Sequence, residues 1–269
     1  MNESILQLIT ALLPIVEAGA LVVARPLGFI IVFPVFGWLG LVGMIRTVTA
    51  FVIGFPMLQV AYLDLANTDA ALAAEVIVLM VGKEFLVGAI LGIVLGAPFW
   101  AAETAGTYVD VFRGTSSATV VNPDQMSEPL ITGAIFSIAL VAIFLAMGGM
   151  RVALDAIYQS YQIWPMFELV PQINEALYPI FVDLLTKIFK LALALGAPLM
   201  IAMFLSELAL AYASRFAQQI NVFDATLSAK NLVFLLILPP YLYVLTAHYA
   251  DDALDIDGLI EIMGRMVNP

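Results

Sequence analysis

The chain has no cysteine, a single histidine and only ten basic residues among 269. The missing cysteine removes disulfides, thiolate nucleophiles and cysteine metal sites. His248 stands alone, and one imidazole does not make a metal centre by itself. The basic residues are scattered and outnumbered by 21 acids, for a formal charge of −11. That balance argues against nucleic acid as a partner, because phosphate neutralisation needs clustered Lys and Arg. The sequence also lacks a Ser–His–Asp set in a plausible context, a phosphate-cradling glycine loop and an HExxH motif. It therefore reads as a non-enzyme with no cofactor. It shows no fixed-period repeat and no low-complexity tract. Met1–Gln7 has no basic segment, which predicts that no signal peptide is cleaved.

Charge of either sign is scarce. Charged residues make up 12% of the chain, whereas a soluble domain carries about 25%. Hydrophobic residues reach 63% and mean hydropathy is +1.04. Such a chain would show apolar patches everywhere in water. The reading is an all-α membrane protein, since open strands leave backbone groups unsatisfied in lipid. A span needs about 20 mostly apolar residues. Ile5–Ala24, Pro26–Ile45, Thr47–Leu63, Leu86–Ala102, Pro129–Met150, Leu191–Ser206 and Leu232–Ala247 qualify or nearly do. Pro34, Pro56, Pro98, Pro198 and Pro239–Pro240 fall in or beside these stretches and predict kinked or ended helices. Asp64–Glu75, Arg113–Glu128, Arg151–Asn174 and Asp251–Pro269 are the least membrane-like segments and hold most loop and turn residues.

Several residues stand out against this background. Gly88, Gly92 and Gly96 recur every fourth position, which predicts a face where another helix approaches closely. Glu103, Thr107 and Asp110 share a helical face, with Arg113 one turn beyond Asp110. That polar stripe either faces a pore or a neighbouring subunit, or marks a helix end emerging into water. The stretch from Arg113 to Pro129 includes Gly114, Thr115, Ser116, Ser117, Asn122 and Pro123. It is small and hydroxyl-rich, and suits either a plain solvent loop or one that lines or plugs a conduit. Glu17, Arg25, Lys83, Glu84, Glu207 and Lys230 lie within or beside apolar helices. Charges so placed mark ion paths or salt bridges between subunits.

Three segments, taken together, carry a resemblance. Arg25-Pro-Leu-Gly-Phe-Ile-Ile-Val-Phe-Pro-Val-Phe36 resembles the N-terminal region of the T subunit of type III secretion export apparatuses, the injectisome relatives of flagellar FliR. Ala105-Gly-Thr-Tyr-Val-Asp-Val-Phe-Arg-Gly-Thr-Ser-Ser-Ala-Thr-Val-Val-Asn-Pro123 is similar to that family's central signature. Ser206-Glu-Leu-Ala-Leu-Ala-Tyr-Ala-Ser-Arg-Phe-Ala-Gln-Gln-Ile-Asn-Val-Phe223, with Leu227-Ser-Ala-Lys-Asn231, resembles its C-terminal signature. Gln218 and Ala229 stand where the family often has proline. Arg113–Gly114 looks more like the injectisome branch.

The resemblance implies one export-apparatus domain over 1–269, built of kinked hydrophobic hairpins, with a C-terminal hairpin over 180–250. It implies a channel-forming subunit of a helical export gate that passes unfolded proteins across the bacterial inner membrane, projecting towards the periplasm. The implied partners are R-type and S-type gate subunits, the U-type switch subunit, the V-type export subunit, exported proteins and membrane lipid. Residues 113–129 match the position of the family's channel plug. Energy would come from a separate ATPase and the proton-motive force. A secondary transporter for a small solute is the alternative, but it should show related halves, and none is visible.

Overall fold

The computed structural model describes residues 2–67, 74–114, 131–169, 177–216 and 222–252. Nine α-helices and one 3-10 turn lie among them, with no strand. Helix α1 runs from Asn2 to Val32 and continues through Pro14 and Pro26. It stops at Phe33, which stands extended at ψ 116° before Pro34, where a following proline disfavours the helical conformation. Pro34 then opens the short α2, Pro34–Trp38. Pro34, expected to kink or end a helix, thus marks the end of α1, whereas the stretches Ile5–Ala24 and Pro26–Ile45 are not separate spans, because α1 runs on through Arg25 and Pro26. Helix α3 (Gly43–Gly54) and α4 (Leu58–Asn67) are joined by the 3-10 turn Phe55–Met57, which carries Pro56.

Helix α5 (Ala74–Arg113) is 40 residues long and runs on through Pro98. Helix α6 (Ile131–Ala146) ends at a turn through Met147 and Gly148. Gly148 has φ 78°, a left-handed conformation that favours glycine. Helix α7 (Gly149–Ile163) follows, in a stretch expected to be rich in loops. Its buried residues Gly149, Ala153, Ala156, Ile157, Ser160 and Tyr161 recur at helical spacing. Helices α8 (Leu177–Ala213) and α9 (Val222–Asp252) occupy the region expected to form the C-terminal hairpin.

Five stretches among the described residues are long and apolar enough to cross a membrane: Leu12–Val32, Gly43–Leu65, Glu75–Arg113, Val182–Ala213 and Asp224–Val244. The interrupted pair α6 and α7 is a sixth candidate. Burial is uneven. It reaches 50% in the most apolar window of Leu12–Val32 but only 17% in Gly43–Leu65 and 6% in Asp224–Val244. The last two therefore need lipid or protein to cover them.

The chain forms two compact units, one comprising residues 1–96, 149–182 and 256–269, the other 97–148 and 183–255. In the first, α1 packs on α3, α4, the first part of α5 and α7. Phe29 stacks on Phe33 at 4.8 Å, and Phe36 meets both edge-on. The Tyr158 hydroxyl of α7 donates to the Ile53 carbonyl of α3. In the second unit, the end of α5 packs on α6 and α8. Phe136 of α6 meets Tyr241 of α9, whose hydroxyl donates to the Leu195 carbonyl of α8.

Candidate functional site

The first unit holds a buried ion network. Arg25 lies one turn before Gly28 on α1, and Glu84 one turn before Gly88 on α5. The two helices cross backbone to backbone at these glycines. A Cβ on Gly28 would collide with the Phe85 carbonyl oxygen, and one on Gly88 with that of Arg25. At Gly92 the approach is looser, with Val32, Phe29 and Phe33 atoms 3.0–3.2 Å from an added Cβ. Gly96 is buried.

This close crossing brings the Arg25 guanidinium onto Glu84 in a two-pronged pair, with Nε to Oε2 at 2.7 Å and Nη2 to Oε1 at 2.9 Å. Both side chains are fully buried. The remaining prongs of Arg25 reach α7 and its end. Nη1 donates to the Ser160 hydroxyl and Nη2 to the Trp164 carbonyl, and the Tyr161 ring lies 3.9 Å from the guanidinium. Lys83 sits 2.7 Å from Glu84 Oε1 and donates to the carbonyls of Pro165, Met166 and Glu168. The two cations thus satisfy carbonyls just beyond the C-terminus of α7, where the helix dipole also favours positive charge. One anion balances two cations, and the carbonyls solvate the second. The network ties α1, α5 and α7 together. Ser160, Tyr161 and Trp164 belong to it and carried no sequence signal.

The second unit gathers the central and C-terminal signature segments. Asp110 is 1% exposed and reaches both sides of the segment 115–130. Its Oδ2 accepts from the Thr132 backbone N–H at 2.9 Å and its Oδ1 from the Thr132 hydroxyl at 2.5 Å, so it caps the start of α6. Arg113 pairs with the same Oδ1 at 3.1 Å and lies over the Phe234 ring of α9 at 4.2 Å. Lys230 of α9 pairs with Glu207 of α8 at 2.7 Å and stands 4.7 Å over the Phe112 ring. A second glycine crossing lies alongside: a Cβ on Gly106 of α5 would sit 2.5 Å from the Gly133 backbone of α6.

The structure separates the other residues singled out from sequence. Glu103 is exposed, Thr107 turns its hydroxyl back to the Glu103 carbonyl, and Asp110 is buried, so the three share a face but not one environment. Glu17 is half-exposed and makes no ion pair among the described residues. Arg113 and Gly114 are described, whereas Thr115, Ser116, Ser117, Asn122 and Pro123 lie outside the described residues. No group of three or more His, Cys, Asp or Glu able to hold a metal ion occurs among the described residues.

Comparison with known proteins gives these features a family context. The family model described as "Bacterial export proteins, family 1" matches residues 16–255. The chain is 37% identical over 175 residues to Yop proteins translocation protein T of Yersinia pestis, covering 65% of this chain and 67% of that protein. It is 31% identical over 223 residues to secretion system apparatus protein SsaT of Salmonella typhimurium, covering 82% and 85%. It is 28% identical over 233 residues to flagellar biosynthetic protein FliR of Bacillus subtilis, covering 85% and 87%. The matched region includes Arg25, Glu84, Asp110, Glu207 and Lys230, and with it the chain belongs to bacterial export protein family 1.

Proposed function

We propose that the chain is the T-type, channel-forming subunit of a type III protein export gate in the bacterial inner membrane, passing unfolded proteins. The family match over residues 16–255 carries this reading. Identity of 37% to the Yersinia translocation protein against 28% to the Bacillus flagellar protein supports the injectisome branch. The relatives are named for translocation, secretion and flagellar biosynthesis, and none of those names denotes a catalytic step. R-type and S-type gate subunits would cover the poorly buried Gly43–Leu65 and Asp224–Val244, with the U-type and V-type subunits as further partners. Co-expression tests this. A tagged chain should purify as a monodisperse species only when R-type and S-type subunits are made with it. A chain that is monodisperse alone and moves a small solute across vesicles would point to a secondary transporter instead.

Within this reading, residues 113–129 form the plug of the closed conduit. Support comes from their small, hydroxyl-rich composition and from the flanking residues Arg113 and Thr132, both held by Asp110. Small side chains lose little rotamer entropy on ordering, which suits reversible packing. Deleting Thr115–Val120 should leave assembly intact and make membranes carrying the complex leak small ions without substrate. Conductance equal to that of the parent would assign the seal to partner subunits.

A further inference from the structure

We propose that Lys187 and Lys190 of α8 bind the phosphodiester of an anionic phospholipid and so set the level at which this subunit meets the membrane surface. No other two basic residues in the sequence fall within one helical turn of each other. Arg25, Lys83, Arg113 and Lys230 are engaged in ion pairs. Lys187 and Lys190 are exposed and make none among the described residues. They border an open cleft of about 520 Å³ with Asp183, Thr186, Leu191 and Ala194. Asp183, Thr186, Lys187 and Lys190 recur at three- and four-residue spacing and form one polar face of the helix. Asp183 leaves that face with one net positive charge, which matches a single phosphodiester.

The surroundings favour a lipid over a protein carboxylate. Val182, Leu185, Phe189 and Leu193 form an adjacent exposed apolar stripe on the same helix. From Leu191 to Ser206 there is no charged residue, a run of roughly 24 Å at about 1.5 Å per residue. Lysines beside lipid-facing apolar side chains at the entry to such a run extend their amines towards headgroups while their stems stay in apolar surroundings. The protein's net charge of −11 opposes anionic lipid elsewhere, so attraction would concentrate at this pair.

The test uses the full chain, in whatever complex it purifies, exchanged into phosphatidylcholine vesicles containing phosphatidylglycerol. Native mass spectrometry then counts retained lipids of each type. One lysine near an anionic surface changes affinity roughly fivefold, so Lys187→Gln with Lys190→Gln should weaken phosphatidylglycerol retention about 25-fold and leave phosphatidylcholine unchanged. Lys187→Arg with Lys190→Arg should restore it. Equal phosphatidylglycerol retention by parent and glutamine variant overturns the proposal. Loss of partner subunits with unchanged lipid ratios overturns it too, and assigns the lysines to a protein carboxylate.

Discussion

Glu84→Ala should abolish accumulation of the protein. The variant leaves Arg25 buried with no ion-pair partner among the described residues and Lys83 with only the more distant Glu168 carboxylate, since Glu84 is the carboxylate paired with both. Removing one partner of a buried pair costs about 3–5 kcal/mol, against a total stability of roughly 5–15 kcal/mol for a typical domain. The effect should spread beyond the pair, because Arg25 also holds Ser160 and the Trp164 carbonyl. An immunoblot of membranes, normalised to parent, reads the outcome. Replacing the whole set with apolar residues, Arg25→Met, Lys83→Met and Glu84→Leu, should recover much of the level, since no charge is then stranded. Full accumulation of Glu84→Ala would mean that water or a partner's charge reaches this network.

Gly88→Ala should split the assembled complex, and more severely than Gly92→Ala. A single methyl at Gly88 meets the Arg25 carbonyl oxygen, which is backbone and cannot swing aside. At Gly92 the nearest atoms lie at 3.0–3.2 Å and small shifts suffice. Overpacking costs typically about 1–3 kcal/mol and more where backbone must move. Gly82→Ala on the same helix has open space around its Cβ and should be neutral or gain up to about 1 kcal/mol in helix propensity. Blue-native electrophoresis of the three variants gives the ranking. Equal complex yield for Gly88→Ala and Gly82→Ala would disprove the close crossing of α1 and α5.

The helical class was legible because hydropathy alone excludes the alternatives. Helix ends were less so. Arg25 separated two of the expected apolar stretches, yet α1 runs through it and Pro26, with its last turns held by Gly28 against α5 and by the bonds of Arg25. Helix α7 was hidden because its average polarity masks a regular stripe from Gly149 to Tyr161; periodicity, not hydropathy, was the readable signal. Arg25, Lys83 and Glu84 were visible as charges in apolar surroundings. Their meeting was not, since Arg25 and Glu84 lie 59 positions apart. The same scarcity argument singled out Glu17, which has no ion pair among the described residues. The carbonyls that receive Lys83 are backbone, and backbone acceptors leave no mark in a sequence.

Helix α5 has 40 residues, which at about 1.5 Å each amounts to roughly 60 Å. The hydrocarbon core of a bilayer is about 30 Å thick. No ordinary tilt absorbs a twofold excess. Glu75, Lys83 and Glu84 precede its charge-free stretch and Glu103, Asp110 and Arg113 follow it, so its ends reach beyond the hydrocarbon, and 44% burial in its most apolar window leaves the rest of that surface to be covered from outside the chain. A newly made copy without neighbours would present greasy helix to water and become a substrate for membrane proteases. Supply of the surrounding subunits would then set how long each copy survives.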